Sequence, residues 1–147
     1  MKLAVLTAVA VALAAVAVAV VLVLHRHDEV RSVADLDRGD CVDAAPFLEG
    51  EQPRLRDLTR ADCDGPHDAE VLIKVDLDAD TAAAYRPVIP ELVCLDAVDD
   101  QADVAIDDQR LLVAGLSDHA EPSAGDELAC FGFAADGTRL DGHVRPR

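Results

Sequence analysis

The 147-residue chain has no tryptophan, one tyrosine and three phenylalanines, and Lys2 and Lys74 are its only lysines. Scarce aromatics exclude a core built on large rings. Val, Leu, Ile and Ala must fill it instead, and small domains of that kind often need covalent help. Basic residues are also short: 13 Lys and Arg stand against 29 Asp and Glu, a formal charge of −16. Such a charge excludes binding to nucleic acid, or to an anionic lipid surface, by general attraction. What remains open is a solvated acidic surface, with a cation or a basic partner as the species it would attract. Abundant Ala, Val, Asp and Arg beside almost no Lys suggest a GC-rich genome.

Charge, Gly and Pro are all missing from Leu3 to Leu24, a run of 22 residues of Leu, Val, Ala and one Thr. As a helix it would span roughly 33 Å, the thickness of a bilayer's hydrocarbon core. Val-rich sequence is a poor helix former in water, but in lipid the backbone must satisfy its own hydrogen bonds. The run is therefore expected to be a single transmembrane helix, with the lipid bilayer as its partner over residues 3–24. A cleaved signal peptide is the alternative. Met1-Lys2 supplies the short basic start that both need, and Ala15-Val16-Ala17 and Ala17-Val18-Ala19 offer small-residue sites, but the run is longer than a signal-peptide core of about 7–15 residues. No Cys follows closely, so a lipoprotein attachment site is absent. Flanking Lys and Arg are nearly balanced between Lys2 on one side and Arg26 and Arg31 on the other, and leave orientation open.

The cysteines decide it. Removing Lys2 leaves 12 basic against 29 acidic residues over 25–147, a formal charge of −17, on a stretch long enough for one domain. It holds Cys41, Cys63, Cys94 and Cys130. An even count in a small domain reads as disulfides formed on the non-reducing side of a membrane. Three pairings are open; the nearest-neighbour pattern, Cys41–Cys63 with Cys94–Cys130, is the expected one. The alternative is four free thiols in a cytoplasmic domain.

Along the chain, 1–24 is expected as the anchor, 25–34 as a polar linker and 35–147 as the extracytoplasmic domain. Gly39-Asp40 marks a turn into a short strand at Cys41-Val42, ended by Pro46. Leu55, Leu58 and Thr59 suggest a second strand leading to Cys63, and Asp64-Gly65-Pro66 forces a turn. Glu70 to Leu77 is the clearest strand, with Val71, Ile73 and Val75 expected on the core side and Leu72 and Lys74 opposite. A short helix is expected from Asp80 to Ala84. A second is expected over about 90–100, with Pro90 in its first turn, Cys94 on it, and Leu92, Leu95 and Val98 sharing a face. Acidic 99–108 is expected as loop; it lacks the Gly and terminal Glu of an EF-hand, which leaves a weak cation-binding reading. Arg110 to Leu116 reads as a strand. Leu128 to Ala134, Asp136-Gly137 and Thr138 to Leu140 read as a hairpin with a type I′ turn. The fold class expected is α+β: a small disulfide-stabilised domain of short antiparallel strands with one or two helices.

The most distinctive stretch runs from Cys63 to Val71 and holds Pro66, His67, Asp68 and Glu70. A zinc site on Cys63 and His67 would need two more ligands and free thiolates, which the disulfide reading removes. An envelope hydrolase could use His67 with Asp68 or Glu70 for acid–base work, in a pocket that also gathers His119 or Asp126, but no nucleophile motif accompanies them. In the third reading His67 follows a turn and hydrogen-bonds neighbouring backbone, fixing the start of the 70–77 strand. No catalytic residue, cofactor or metal is assigned, and the chain is expected not to be an enzyme.

Leu36-x-x-Gly39-Asp40-Cys41, then Cys63-x-x-Pro66-His67-Asp68-Ala69-Glu70-Val71, then Cys94 in a presumed helix, then Pro122, Gly125-Asp126 and Cys130, and finally Leu140-x-Gly142 resemble the septum formation domain of actinobacterial envelope proteins. The resemblance covers about 36–142. It implies a domain that is secreted or tied to the membrane by one helix, and a binding or scaffolding module that contacts an envelope or division protein. It brings no catalytic residues with it.

Overall fold

The computed structural model describes residues 29–84, 90–102 and 110–144. The expected membrane helix over 3–24 lies outside them, as do Tyr85, Pro87, Asp103, Asp107 and Asp108. Among the described residues, no helix is long and apolar enough to cross a membrane.

The fold is α+β, organised on an antiparallel five-stranded sheet. Its strands are β1 (Cys41–Asp43), β2 (Thr59–Ala61), β4 (Ala69–Asp76), β5 (Leu111–Ser117) and β6 (Glu127–Ala134), in the order β2-β1-β4-β6-β5. A two-stranded ribbon pairs β3 (Pro66–His67) with β7 (Leu140–Asp141). Three short helices accompany them: α1 (Ala45–Leu48), α2 (Ala79–Ala84) and α3 (Pro90–Ala97). Pro46 ends β1 by starting α1, where its missing N–H costs nothing. Asp78 accepts from the Thr81 backbone N–H at 2.7 Å and starts α2.

The sheet separates two cores. On one face Val42, Ala69, Val71, Ala114, Leu116, Ala129, Phe131 and Phe133 pack under Val30, Val33, Leu36, Phe47 and Leu58. Phe47 lies 5.6 Å and 5.0 Å, ring to ring, from Phe131 and Phe133. The polar linker expected over 25–34 is therefore, from Glu29 onward, part of the packed unit. Val30 and Val33 are buried, Val30 N–H donates to Leu58 O, and Asp118 accepts from Ser32 Oγ and Val33 N–H at 2.7 and 2.8 Å. On the other face Leu72, Ile73, Leu77, Val113, Leu128 and Cys130 meet Cys94, Ala97 and Val98 of α3 and the turn after it.

The alternation expected for the central strand is corrected by a bulge. Val71 pairs with Phe131 but Ile73 pairs with Cys130, so Leu72 is the extra residue. Val71 stays on the first face, Leu72 and Ile73 both turn to the second, and Lys74 returns to the first. Two glycines make room there. A Cβ on Gly132 would meet Leu72 Cδ1 at 2.9 Å, and one on Gly115 would meet Cys94 Sγ and Pro90 at 2.9 Å. Gly115 thus lets α3 lie flat on β5.

Helix α3 departs from expectation in its buried face. Pro90, Cys94 and Ala97 point inward, while Leu92 and Leu95 are 62% and 38% exposed. The helix is apolar nearly all round, so periodicity alone does not orient it; the Cys94–Cys130 bond does. Past Ala97 it continues as a π turn, Val98–Ala102, which spans the end of the helix expected over about 90–100 and the start of the loop expected over 99–108.

The expected hairpin of 128–134 with 138–140 does not form. β6 has β4 on one side and β5 on the other and so has no free edge. The Asp136-Gly137 turn, with φ of 72° at Gly137, instead carries Leu140 across to His67. Likewise Leu55–Asp57 is a 3₁₀ turn rather than strand, and Leu58 is buried beneath it.

Candidate functional site

The four cysteines are joined as two disulfides, Cys41–Cys63 and Cys94–Cys130, with Cα separations of 5.3 and 5.4 Å. The first ties β1 to the loop before β3. The second ties α3 to β6.

Beside the Cys41–Cys63 bond lies a buried polar node. His67, Asp68 and Glu70 are its members, and they are the buried polar or charged residues of the described chain. His67 lies on β3, Asp68 in the bend between β3 and β4, and Glu70 on β4.

Each acid is spent on the chain itself. Asp68 Oδ2 accepts from the Ala44 backbone N–H at 2.8 Å, and Oδ1 accepts from Arg139 Nε at 2.8 Å. The Arg139 guanidinium also hydrogen-bonds Asp43. That bond, with the charges of Asp43 and Asp68, holds the guanidinium above its ordinary pKa. Glu70 Oε2 accepts from the Val144 backbone N–H at 2.6 Å, and Oε1 lies 3.3 Å from His143 Nδ1. Thus the buried carboxylates clamp α1 and the C-terminal segment against the sheet. An isolated buried charge would be very costly; these have partners.

His67 is fully buried, and its Nδ1 donates to Gly65 O at 2.9 Å, as the structural reading of the sequence expects. Its Nε2 is buried with no hydrogen-bond partner among the described residues. Pro66 pairs with Asp141 in the ribbon that carries His67.

The residues that a hydrolase reading would gather are dispersed. His119 lines a cleft of about 590 Å³ with Arg31, Arg54, Arg56 and Asp118, and His67 is not part of that lining. Asp126 accepts from the Ser123 backbone N–H at 2.8 Å and closes the β5–β6 loop. Asp99 and Asp100, from the acidic stretch, lie in the π turn after α3.

Arg139 and His143 are the members of the node that sequence reasoning missed. A signal for them existed: two acids at the start of an apolar strand, Asp68 just before it and Glu70 on it, demand partners, and few cations were on offer in so acidic a chain. No family model matches the chain, and neither a curated protein nor a solved structure matches it.

Proposed function

We propose that the chain is a membrane-anchored binding or scaffolding module of the cell envelope, linked to septum formation, with residues 3–24 in the bilayer and the α+β domain on the extracytoplasmic side. The observation that carries this reading is that both cysteine pairs are joined within a small domain that follows a 22-residue apolar run. Disulfides persist where the surroundings are oxidising. The resemblance of residues 36–142 to septum formation domains supplies the link to division.

A hydrolase using His67, Asp68 and Glu70 draws no support from the geometry, because both acids accept from backbone N–H groups and lie against Arg139 and His143 of the same chain. Binding suits the surface better: Leu92 and Leu95 on α3, and Leu112 on the edge strand β5, are left exposed. A protein partner seated on the outer side of α3 would cover Leu92 and Leu95, while Leu112, paired with Phe133, lies on the other side of the sheet.

Two reporters fused at Arg147 test the reading. An enzyme active only outside the cytosol should be active there, and a fluorescent tag should concentrate at division sites. Cytosolic reporter activity would refute the topology. Even spreading over the membrane, with normal septation after deletion, would refute the division role.

A further inference from the structure

The Cys41–Cys63 bond lies among side chains of metal-binding type. Ligand atoms of Cys41, Cys63 and His143 all lie within 4.8 Å of one another, and so do those of Cys41, His67 and Glu70. Cys41 is common to both sets. A single zinc ion, with bonds of roughly 2.0–2.3 Å to nitrogen and sulfur, unites these two clusters only once reduction lets the sulfurs part and the ligands close in.

His67 is prepared for such a role. Gly65 O can only accept, so Nδ1 must carry the proton of that 2.9 Å bond. In a neutral ring this leaves the Nε2 lone pair free, and that atom is buried without a partner. A histidine that donates one ring N–H to a backbone carbonyl and turns the other nitrogen inward has the arrangement of a metal ligand. The exposed His143 is oriented in a similar way by Glu70 at 3.3 Å.

We propose that the Cys41–Cys63 pair, once reduced, forms a zinc-class metal site with His67 and His143, so that this corner of the domain can be closed by a disulfide or by a metal. Reduction by a dithiol transfers two electrons: the S–S bond breaks, two protein thiols form, and the dithiol becomes a disulfide. Binding of one divalent ion then releases the two thiol protons as the thiolates coordinate. Either closure ties Cys41 on β1 to the loop at Cys63; the metal also fastens the C-terminal segment through His143. The Cys94–Cys130 pair has no such second state, since no histidine joins it in a comparable cluster among the described residues.

The full-length chain in detergent provides the test. It is reduced with a trialkylphosphine, freed of reductant without oxygen, and titrated with Co²⁺ and then Zn²⁺. One equivalent of Co²⁺ should give a tetrahedral spectrum with thiolate-to-metal charge transfer, which one equivalent of Zn²⁺ should bleach. The oxidised protein should give neither. His143→Ala, at an exposed position, and His67→Gln should each weaken binding at least about tenfold. Cys63→Ser should remove most of the charge-transfer band, while Cys130→Ser should keep it. Circular dichroism follows the fold, and metal should restore any structure lost on reduction. A spectrum without thiolate bands, equal affinity in both histidine variants, or reduced protein that metal neither binds nor refolds would each overturn the proposal.

Discussion

The two faces of the central sheet are closed by different means. One face holds Phe47, Phe131 and Phe133 under a cover that begins at Val30, and no disulfide crosses it. The other carries no aromatic ring among its described core residues and has both disulfides. Cys130 faces α3, and Cys41 shares its side of the sheet with Glu70, Gly132 and Val113 by register. Large rings bury much area and interlock. The eight-residue α3 offers only Pro90, Cys94 and Ala97 as buried residues. Where a domain poor in aromatics places its few rings, packing suffices; where it has none, covalent bonds hold the cover down.

Breaking the second face should have the largest effect. Replacing Cys94 and Cys130 together by Ala should cost about 4 kcal/mol, from the 36-residue separation they close. Denaturant unfolding would measure it, and a loss under about 1 kcal/mol would erase the contrast between the faces. On the first face Phe131→Ala should cost about 3–4 kcal/mol as a cavity. In that variant both disulfides should resist reductant below the unfolding transition, because the tied face remains closed.

The polar clamp comes next. Asp68→Ala leaves the Ala44 N–H unpaired and should cost about 2 kcal/mol, whereas Leu92→Gln on the outer side of α3 should stay within about 0.5 kcal/mol. Equal losses at the two sites would show that α3 packs by its leucines after all.

The smallest effect is expected with pH. Hydrogen bonds from Thr81 to Asp78, and from Thr138 to Asp136, hold both carboxyls below their ordinary pKa. A lowered folded-state value means that the stabilisation is present above the unfolded value and is lost as pH falls through the folded one. Both groups are exposed, so the effect is slight. Between pH 7 and 3 the melting temperature of an Asp78→Asn, Asp136→Asn variant should fall a little less than that of the parent.

Much of the fold was legible in the sequence. The strand at 70–77, the helix starting at Pro90, the α+β class and the nearest-neighbour cysteine pairing all follow from local signals: apolar runs, turn residues and spacing. What was not legible is set by distant partners. Leu72 bulges where Gly132 on β6, the partner of Glu70, leaves its side chain space. Leu92 and Leu95 face outward because Cys130 captures Cys94. The turn at Asp136-Gly137 is real, but the strand after it pairs with His67 because β6 is already occupied on both edges. At the candidate site the importance of 66–70 showed in its composition, and its meaning did not. Buried acids announce that partners exist, but only the fold reveals them to be Ala44, Arg139, His143 and Val144.

The central claim is that this domain lives where its sulfurs are joined in pairs. Alkylating intact cells before lysis, then mapping the cysteine peptides by mass spectrometry without reduction, tests it directly. The account predicts Cys41 linked to Cys63 and Cys94 linked to Cys130, with alkylation essentially absent. Four alkylated cysteines, or crossed pairs, would contradict it.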